Sequence, residues 1–250
     1  TEVLERLVKV DEEQAAEALP ELLAAARLMV DNEDRGRAVE LYELALELDP
    51  GSLDALDALV ELRRDDPQAL VPLLRLRIEL ASGDEERARV QTELGLALSA
   101  AGAPAQEVSA AYQQALELDE EHVPALDALS QLMVRQEQLE PARVLLQDAV
   151  ERLGLSRESG PLLYRLGHVF ERLGRDEEGY RYLMDALRLD PQNLHLRVAV
   201  GQNRFRAERW REALRHLQEL REHPELREAP RVAAEAMYAA GVCEAALRRP

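Results

Sequence analysis

The sequence predicts an all-α protein built from repeated antiparallel pairs of helices, which we name hairpins. Two apolar stripes at helical spacing follow each other in residues 163–191. The first stripe consists of Leu163, Leu166, Gly167 and Phe170, and the second of Gly179, Tyr182, Leu183, Ala186 and Leu189. Gly174, Arg175 and Asp176 separate them. Because small residues lie on both stripes, we expect the two helices to approach closely along a shared seam.

The same pattern recurs along the chain. Gly167 and Gly201 are 34 residues apart, and so are Ala115 and Ala149. The segment LYELALELDPGSLDALDALVEL at 41–62 returns 70 residues later as AYQQALELDEEHVPALDALSQL. Several hairpins in register indicate a repeat array, in which each hairpin packs only on its neighbours.

The hairpin at 163–191 resembles the tetratricopeptide repeat, whose pattern is W-x2-L-G-x2-Y…A-x3-F…P. Leu166-Gly167 match the Leu-Gly pair, and Pro191 matches the closing proline. Leu163, Phe170, Gly179 and Leu183 take the places of the Trp, Tyr, Ala and Phe. The resemblance implies a right-handed superhelical solenoid of antiparallel hairpins, with about six repeats plus partial repeats at both ends. It also implies a scaffold that binds a peptide or a partner protein in a concave groove.

We expect a single solenoid over residues 1–250. Whole repeats are predicted at 19–52, 53–85, 86–121, 122–158, 159–192 and 193–229, and partial repeats at 1–18 and 230–250. Val3–Val10 resembles the tail of a second helix, and Val232–Leu247 resembles a first helix without a partner. The chain is therefore expected to be a piece of a longer solenoid, or one with trimmed ends. The second repeat is predicted to be the least regular, since its turn is short and contains Pro67.

Composition agrees with closely packed helices. Only two Phe, six Tyr and one Trp are present, which argues against a β-rich core. The single cysteine, Cys243, excludes an internal disulfide. No apolar run is long enough to span a membrane and no signal peptide is visible, so a cytoplasmic location is expected. Lys9 is the only lysine against 30 arginines, which is typical of a bacterial gene of high GC content.

The net charge of −18 is confined to the first half of the chain. Residues 1–125 carry 11 Lys or Arg and 29 Asp or Glu, whereas residues 126–250 carry 20 of each class. One interpretation is a solvated acidic surface that keeps the array soluble. The other is a bipolar surface that sorts basic from acidic ligands. A pI near 4.8 argues against nucleic acid as the partner.

No motif predicts catalysis, a cofactor or a metal. The chain lacks a Gly-rich phosphate loop, an HExxH motif and a cysteine pair. Ser156 and Ser159 lie in a loop without a nearby base. The histidines are interpreted as surface or groove residues; they are His122, His168, His195, His216 and His223. We therefore expect no enzyme within these residues.

The candidate binding residues follow from the resemblance, because the first helix of each such hairpin lines the groove. The nine candidates are Tyr164, Arg165, His168, Arg172, His195, Gln202, Phe205, Arg206 and Tyr238. Aromatic rings beside arginines suit peptide binding, since the ring covers apolar surface while the guanidinium binds a carboxylate. The same faces of the second and fourth hairpins carry Asp54, Asp57, Glu61, Asp65, Asp127 and Gln131.

The specific hypothesis is that these candidates bind an acidic or carboxylate-bearing peptide. The alternative is a solvated groove without a ligand, in which Phe205 packs against the turn at Trp210. The Lys and Asn residues that carboxylate-clamp members of the family place on their inner helices are absent. Two other functions stay open: a docking or regulatory arm of a larger enzyme, and a self-assembly module.

The seam also predicts the effect of substitutions. We expect Gly167→Leu to overpack the seam. Gly167→Ala is expected to be mild or even favourable, because alanine has the higher helix propensity.

Overall fold

The computed structural model describes residues 12–220, 224–227 and 229–248. Within these residues it contains thirteen α-helices, one 3₁₀ turn at Pro224–Arg227 and no β-strand. The helices are α1 Glu12–Asp31, α2 Arg35–Leu48, α3 Leu53–Leu62, α4 Pro67–Leu80, α5 Asp84–Ala100, α6 Ala105–Leu118, α7 Val123–Arg135, α8 Leu139–Leu153, α9 Gly160–Arg172, α10 Asp176–Leu189, α11 Leu194–Arg206, α12 Trp210–Leu220 and α13 Pro230–Leu247. The predicted all-α class is confirmed. The helix tail predicted at Val3–Val10 lies outside the described residues.

The described helices form two compact units, which are divided between residues 120 and 121. In the first unit α1 pairs with α2, α3 with α4, and α5 with α6. In the second unit α7 pairs with α8, α9 with α10, and α11 with α12, and α13 packs on the last pair. Each pair is one predicted hairpin, and the boundary between the units falls at the predicted end of the third repeat. A single continuous solenoid over both units stays a prediction.

Five hairpins turn through the same motif. In each, one residue has a left-handed backbone: Glu33 (φ 61°), Gly102 (77°), Glu137 (61°), Gly174 (70°) and Glu208 (55°). The amide of the next residue donates to the carbonyl five positions earlier, at 2.9 Å in every case, as Arg175 N does to Phe170 O. This 6→1 bond satisfies a free carbonyl at the end of the first helix. The repeated turn therefore sets the same reversal of direction in all five hairpins.

The hairpin of α3 and α4 departs from this motif, as predicted. Its turn closes with a bond of 2.8 Å from Asp66 N to Arg63 O. The Asp66 carboxylate then accepts from Ala69 N at 3.2 Å, and Pro67 occupies the first turn of α4. An N-terminal proline is tolerated because the amide that it lacks would have no partner in the helix.

The seam between α9 and α10 is a contact between glycines. A Cβ atom added to Gly167 would lie 2.6 Å from Leu183 Cγ and 3.2 Å from the Gly179 carbonyl oxygen. A Cβ added to Gly179 would lie 2.8 Å from the Gly167 oxygen. The two backbones therefore touch where the sequence predicts it. The expectation that Gly167→Ala is mild is wrong, because the methyl group has no room.

The same position is used in two other hairpins. A Cβ on Gly95 would run into the ring of Tyr112, and one on Gly201 would lie 2.9 Å from Leu217 Cδ2. Gly241 lies on α13, the helix predicted to be a first helix without a partner, and its surroundings differ. A Cβ added there meets no described atom within 4 Å.

The seam of α11 and α12 contains a buried arginine. Arg204 stands three residues after Gly201, where α5 and α9 have the apolar Leu98 and Phe170. Its side chain is 1% exposed, and its guanidinium lies 3.9 Å from the centre of the Tyr180 ring. It donates to both carboxylate oxygens of Glu177 at 3.1 Å.

His216 lies beside this cluster and is buried. Its Nε2 is 3.2 Å from the Tyr180 hydroxyl. The interpretation of His216 as a surface or groove residue is therefore wrong. Burial lowers its pKa, and the charge of Arg215 lowers it further.

We predict that Gly167→Leu lowers the free energy of unfolding by about 1–3 kcal/mol through overpacking. Gly167→Ala should also be destabilising, by a smaller amount. Gly241→Ala is the matched control and should be neutral or stabilising, since nothing described opposes its methyl group and alanine is favoured over glycine in helices by up to about 1 kcal/mol. Urea titration followed by circular dichroism measures all three. Equal effects of Gly167→Ala and Gly241→Ala would contradict the assigned seam.

We also predict an acid-dependent loss of stability from His216. Its folded pKa is lowered, so the folded protein keeps it neutral where the unfolded chain, with a pKa of about 6.5, binds a proton. The contribution of neutral His216 to the free energy of unfolding is therefore fully present above a pH of about 6.5, and it is lost as the pH falls toward the pKa of His216 in the folded protein. His216→Gln should therefore flatten the dependence of the urea midpoint on pH between 7.5 and 5.5, about one unit either side of 6.5. Identical slopes in His216→Gln and in the unsubstituted protein would refute the assignment.

Candidate peptide-binding surface

The nine candidate residues line three adjoining cavities on the second unit. The Tyr164 cavity measures about 660 Å³ and contains Tyr164 and His195. The Glu171 cavity, of about 350 Å³, contains Tyr164, Arg165, His168, Arg172 and Arg206. The Phe205 cavity, of about 370 Å³, contains Gln202, Phe205, Arg206 and Tyr238. Tyr164 lines the first two cavities and Arg206 the last two, so the three adjoin one another, and together we name them the first-helix surface.

The Tyr164 cavity is mainly apolar. It lies between the start of α9, the end of α10 and the start of α11, and its apolar walls are Pro161, Tyr164, Ala186, Leu189 and Leu196. Its polar residues are Arg157, Asp190, Asn193 and His195. The Asn193 side chain accepts from Leu196 N at 3.2 Å and donates to Asp190 at 3.0 Å. These bonds fix the polar rim beside an open apolar hollow.

Phe205 does not project freely from the surface. It is half-buried, and its ring packs edge-on against Trp210 with centroids 5.5 Å apart. The alternative expectation, that Phe205 packs against the Trp210 turn, is thus confirmed. Tyr238 on α13 remains 73% exposed and supplies the open aromatic face of the Phe205 cavity.

The arginines of the Glu171 cavity already have partners. Arg165 binds Asp127 through two hydrogen bonds of 2.8 and 3.1 Å. Arg172 donates to Glu137 at 2.6 Å. Asp127 lies on α7, the first helix of the preceding hairpin, and Glu137 lies in the turn that follows α7, so both pairs join α9 to that hairpin. These contacts remove the free positive charge from which the sequence argument for an acidic ligand started.

Glu171 is the centre of the third set of contacts. Its side chain is only 5% exposed, and it accepts from His168 Nδ1 at 2.8 Å and from Asn203 Nδ2 at 2.6 Å. Arg206 forms an ion pair with the same carboxylate. Burial raises the pKa of Glu171, but the hydrogen bonds from His168 and Asn203 and the charge of Arg206 outweigh it and hold the pKa below its usual value. Glu171 is therefore an anion at neutral pH, and it joins α9 to α11.

Sequence reasoning missed Glu171, Glu137 and Asn203. A signal was nevertheless present, because the bonded pairs are separated by about one repeat: 38 residues for Arg165–Asp127, 35 for Arg172–Glu137 and 32 for Asn203–Glu171. Residues one repeat apart on successive first helices are neighbours in such an array. Complementary polar pairs at this separation predict contacts within the surface itself.

Other kinds of site are not seen in the described part of the chain. No group of three or more His, Cys, Asp or Glu side chains there is arranged to hold a metal ion. None of the described helices is long and apolar enough to cross a membrane.

We predict that the Arg165–Asp127 pair contributes measurably to stability. A double-mutant cycle with Arg165→Ala and Asp127→Ala should give a coupling energy of about 1 kcal/mol, the upper end for partly exposed pairs, because the contact is bidentate. The side chains are 22% and 32% exposed. Arg27–Asp54, a single bond with side chains 63% and 66% exposed, is the control and should couple by less. Equal coupling in both cycles, measured by urea titration, would show that the α7–α9 pair is only a surface contact.

Comparison with known proteins supports the fold. The family model of the tetratricopeptide repeat matches residues 160–193; a search of curated protein sequences found no match. Among solved structures, MamA from Desulfovibrio magneticus RS-1 is similar with a TM-score of 0.55 and 20% identity, over 70% of this chain and 94% of that one. YrrB, described as a TPR protein with an unusual peptide-binding site, gives 0.53 and 16%, over 74% and 97%.

PilW, described as a widely conserved type IV pilus biogenesis factor, gives a TM-score of 0.59 and 14% identity, over 85% of this chain and 98% of its own. At these identities the likeness concerns the fold alone. The family resemblance read from Leu166-Gly167 and Pro191 agrees with the matched segment. Residues 160–193 are a tetratricopeptide repeat, and the chain has the fold of the tetratricopeptide repeat family.

Proposed function

We propose that this protein is an interaction scaffold whose first-helix surface binds an extended peptide segment of a partner protein. The observation that carries the proposal is that the three cavities adjoin one another, since Tyr164 lines the first two and Arg206 lines the last two. A row of adjoining hollows suits an extended chain, whose side chains can enter successive hollows. The volumes fall within the range of about 300–1,000 Å³ that is usual for binding pockets.

Apolar side chains of the partner are the expected anchors. The Tyr164 cavity offers Pro161, Leu189 and Leu196 as apolar wall, and the Phe205 cavity offers Phe205 and Tyr238. Burying a large apolar side chain contributes about 1.5–3 kcal/mol. Partly exposed charge pairs contribute at most about 1 kcal/mol, and the arginines here are already paired. Affinity therefore comes from the two apolar cavities, and the polar centre sets the register.

The helical scaffold favours side-chain recognition. Backbone amides and carbonyls inside the helices bond within each helix, and the described residues have no sheet edge to which a peptide strand could add. The ligand would consequently be recognised mainly by side chains of α9, α11 and α13, with Ala186 and Leu189 of α10 completing the apolar wall of the Tyr164 cavity.

We predict that the chain selects binding peptides from a random-peptide display library, and that Tyr164→Ala and His195→Ala each weaken binding of a selected peptide. Loss of a central aromatic contact should reduce affinity about tenfold or more, since such residues contribute upwards of about 1.4 kcal/mol. Val144→Ala is the control, because Val144 is 55% exposed but lies on α8, a second helix. Circular dichroism establishes that the variants fold.

Fluorescence anisotropy with the labelled peptide measures the dissociation constants. Failure to select any peptide would refute the proposed function. So would selected peptides that bind Tyr164→Ala as tightly as the unsubstituted chain, since the binding site would then lie elsewhere.

A further inference from the structure

Glu171 occupies the place where a ligand's carboxylate would be expected to bind. Three donors from two helices converge there: His168 Nδ1, Asn203 Nδ2 and Arg206. His168 and Arg206 belong to the candidate binding residues chosen from the sequence. In this structure both side chains contact the carboxylate of Glu171, which belongs to the chain itself. Both Glu171 oxygens are engaged, since Asn203 binds Oε1 while His168 and Arg206 contact Oε2.

The other charged residues around the Glu171 cavity also disfavour a carboxylate of a ligand. Arg165 and Arg172 are paired with Asp127 and Glu137. Asp176 is half-buried and adds a further carboxylate to the lining of the cavity. The Glu171 cavity and the residues paired with its arginines therefore contain four carboxylates and three arginines. The carboxylates are those of Asp127, Glu137, Glu171 and Asp176, and the arginines are Arg165, Arg172 and Arg206. An Asp or Glu side chain of a ligand would meet a slightly negative environment with its best donors already bonded, and desolvating a charge without a partner is costly.

We propose that Glu171 is a specificity-determining residue, which excludes acidic side chains from the centre of the first-helix surface. The partner segment is then apolar where it enters the Tyr164 and Phe205 cavities, and neutral or basic where it crosses the Glu171 cavity. This inference rests on the proposed function, because it names the class of peptide that the surface accepts. It reverses the polarity expected from the sequence, where the arginines were counted without their partners.

The selectivity is tested by peptide selection with the full chain. Random-peptide selections are run in parallel on the unsubstituted protein, Glu171→Gln, Arg206→Gln and Glu219→Gln. Glu219 is the matched control: it is also a carboxylate paired with an arginine, Arg197 at 3.1 Å, but it lines none of the three cavities. The readout is the frequency of Asp and Glu in the selected peptides, relative to the library before selection.

The unsubstituted chain and Glu219→Gln should deplete acidic residues equally. Glu171→Gln should raise the frequency of acidic residues at least about twofold, because one anion is removed and Arg206 and His168 lose a competing carboxylate. Arg206→Gln should deplete them further. If peptides depend on Tyr164 but Glu171→Gln leaves their acidic content unchanged, the specificity role is overturned while the proposed function stands.

A second measurement needs no peptide. In Glu171→Ala the side chain loses Cγ and the carboxylate, and the three donors lose their shared acceptor, so acetate, which has the size of the missing fragment, should refill the site. Sodium acetate should raise the melting temperature of Glu171→Ala above that in sodium chloride of equal ionic strength. It should have no such effect on the unsubstituted chain or on Glu219→Ala. Absence of this rescue would overturn the idea that Glu171 fills a carboxylate site, whether or not any peptide is selected.

Discussion

The α5–α6, α9–α10 and α11–α12 hairpins depend on a close contact between their two helices at a residue without a side chain. At Gly167 and Gly179 the backbones meet so closely that neither position has room for a methyl group. Gly95 and Gly201 allow the same close approach, to the side chains of Tyr112 and Leu217 respectively. Because the seam fixes which side of a first helix faces its partner, it also fixes which side chains are left on the opposite face. The position of the first-helix surface is thus a consequence of the seam.

Once the seams are made, the polar faces of successive first helices lie beside one another. Charged side chains on them can then pair across repeats, as Arg165 does with Asp127 and Arg206 with Glu171. Arg204 shows the same tendency inside a seam, where Tyr180 and Glu177 compensate its burial. An arginine in the sequence of the second unit is therefore as good a sign of a carboxylate on a neighbouring helix as of a bound ligand.

The sequence predicted the hairpins, their turns and the glycine seam, because these depend on periodicity and on residues close together in the chain. The sequence analysis failed where the environment of a residue is determined by side chains that are far away along the chain. Helix propensity is local and made Gly167→Ala look harmless, but the clash comes from Leu183 of the partner helix. His216 was read as a surface or groove residue, yet it is buried beside Tyr180, in a seam that also contains Arg204. The nine site candidates do lie on one surface, whereas their charge partners, about one repeat away, were not anticipated.

The distribution of charge in the chain can now be interpreted more narrowly. The second half is neutral because 20 Arg are balanced by 20 Asp or Glu, and in the first-helix surface this balance is achieved by direct pairing. A neutral total can describe either separated charges, which attract ions, or paired charges, which do not. Because the charged side chains of this surface are paired, the apolar hollows beside Tyr164 and Phe205 are the features that remain open to contact with a ligand. Under the proposed function, replacing Arg206 and replacing Glu171 are expected to act in opposite directions on the choice of ligand, because the two side chains form an ion pair and removal of either frees the charge of the other.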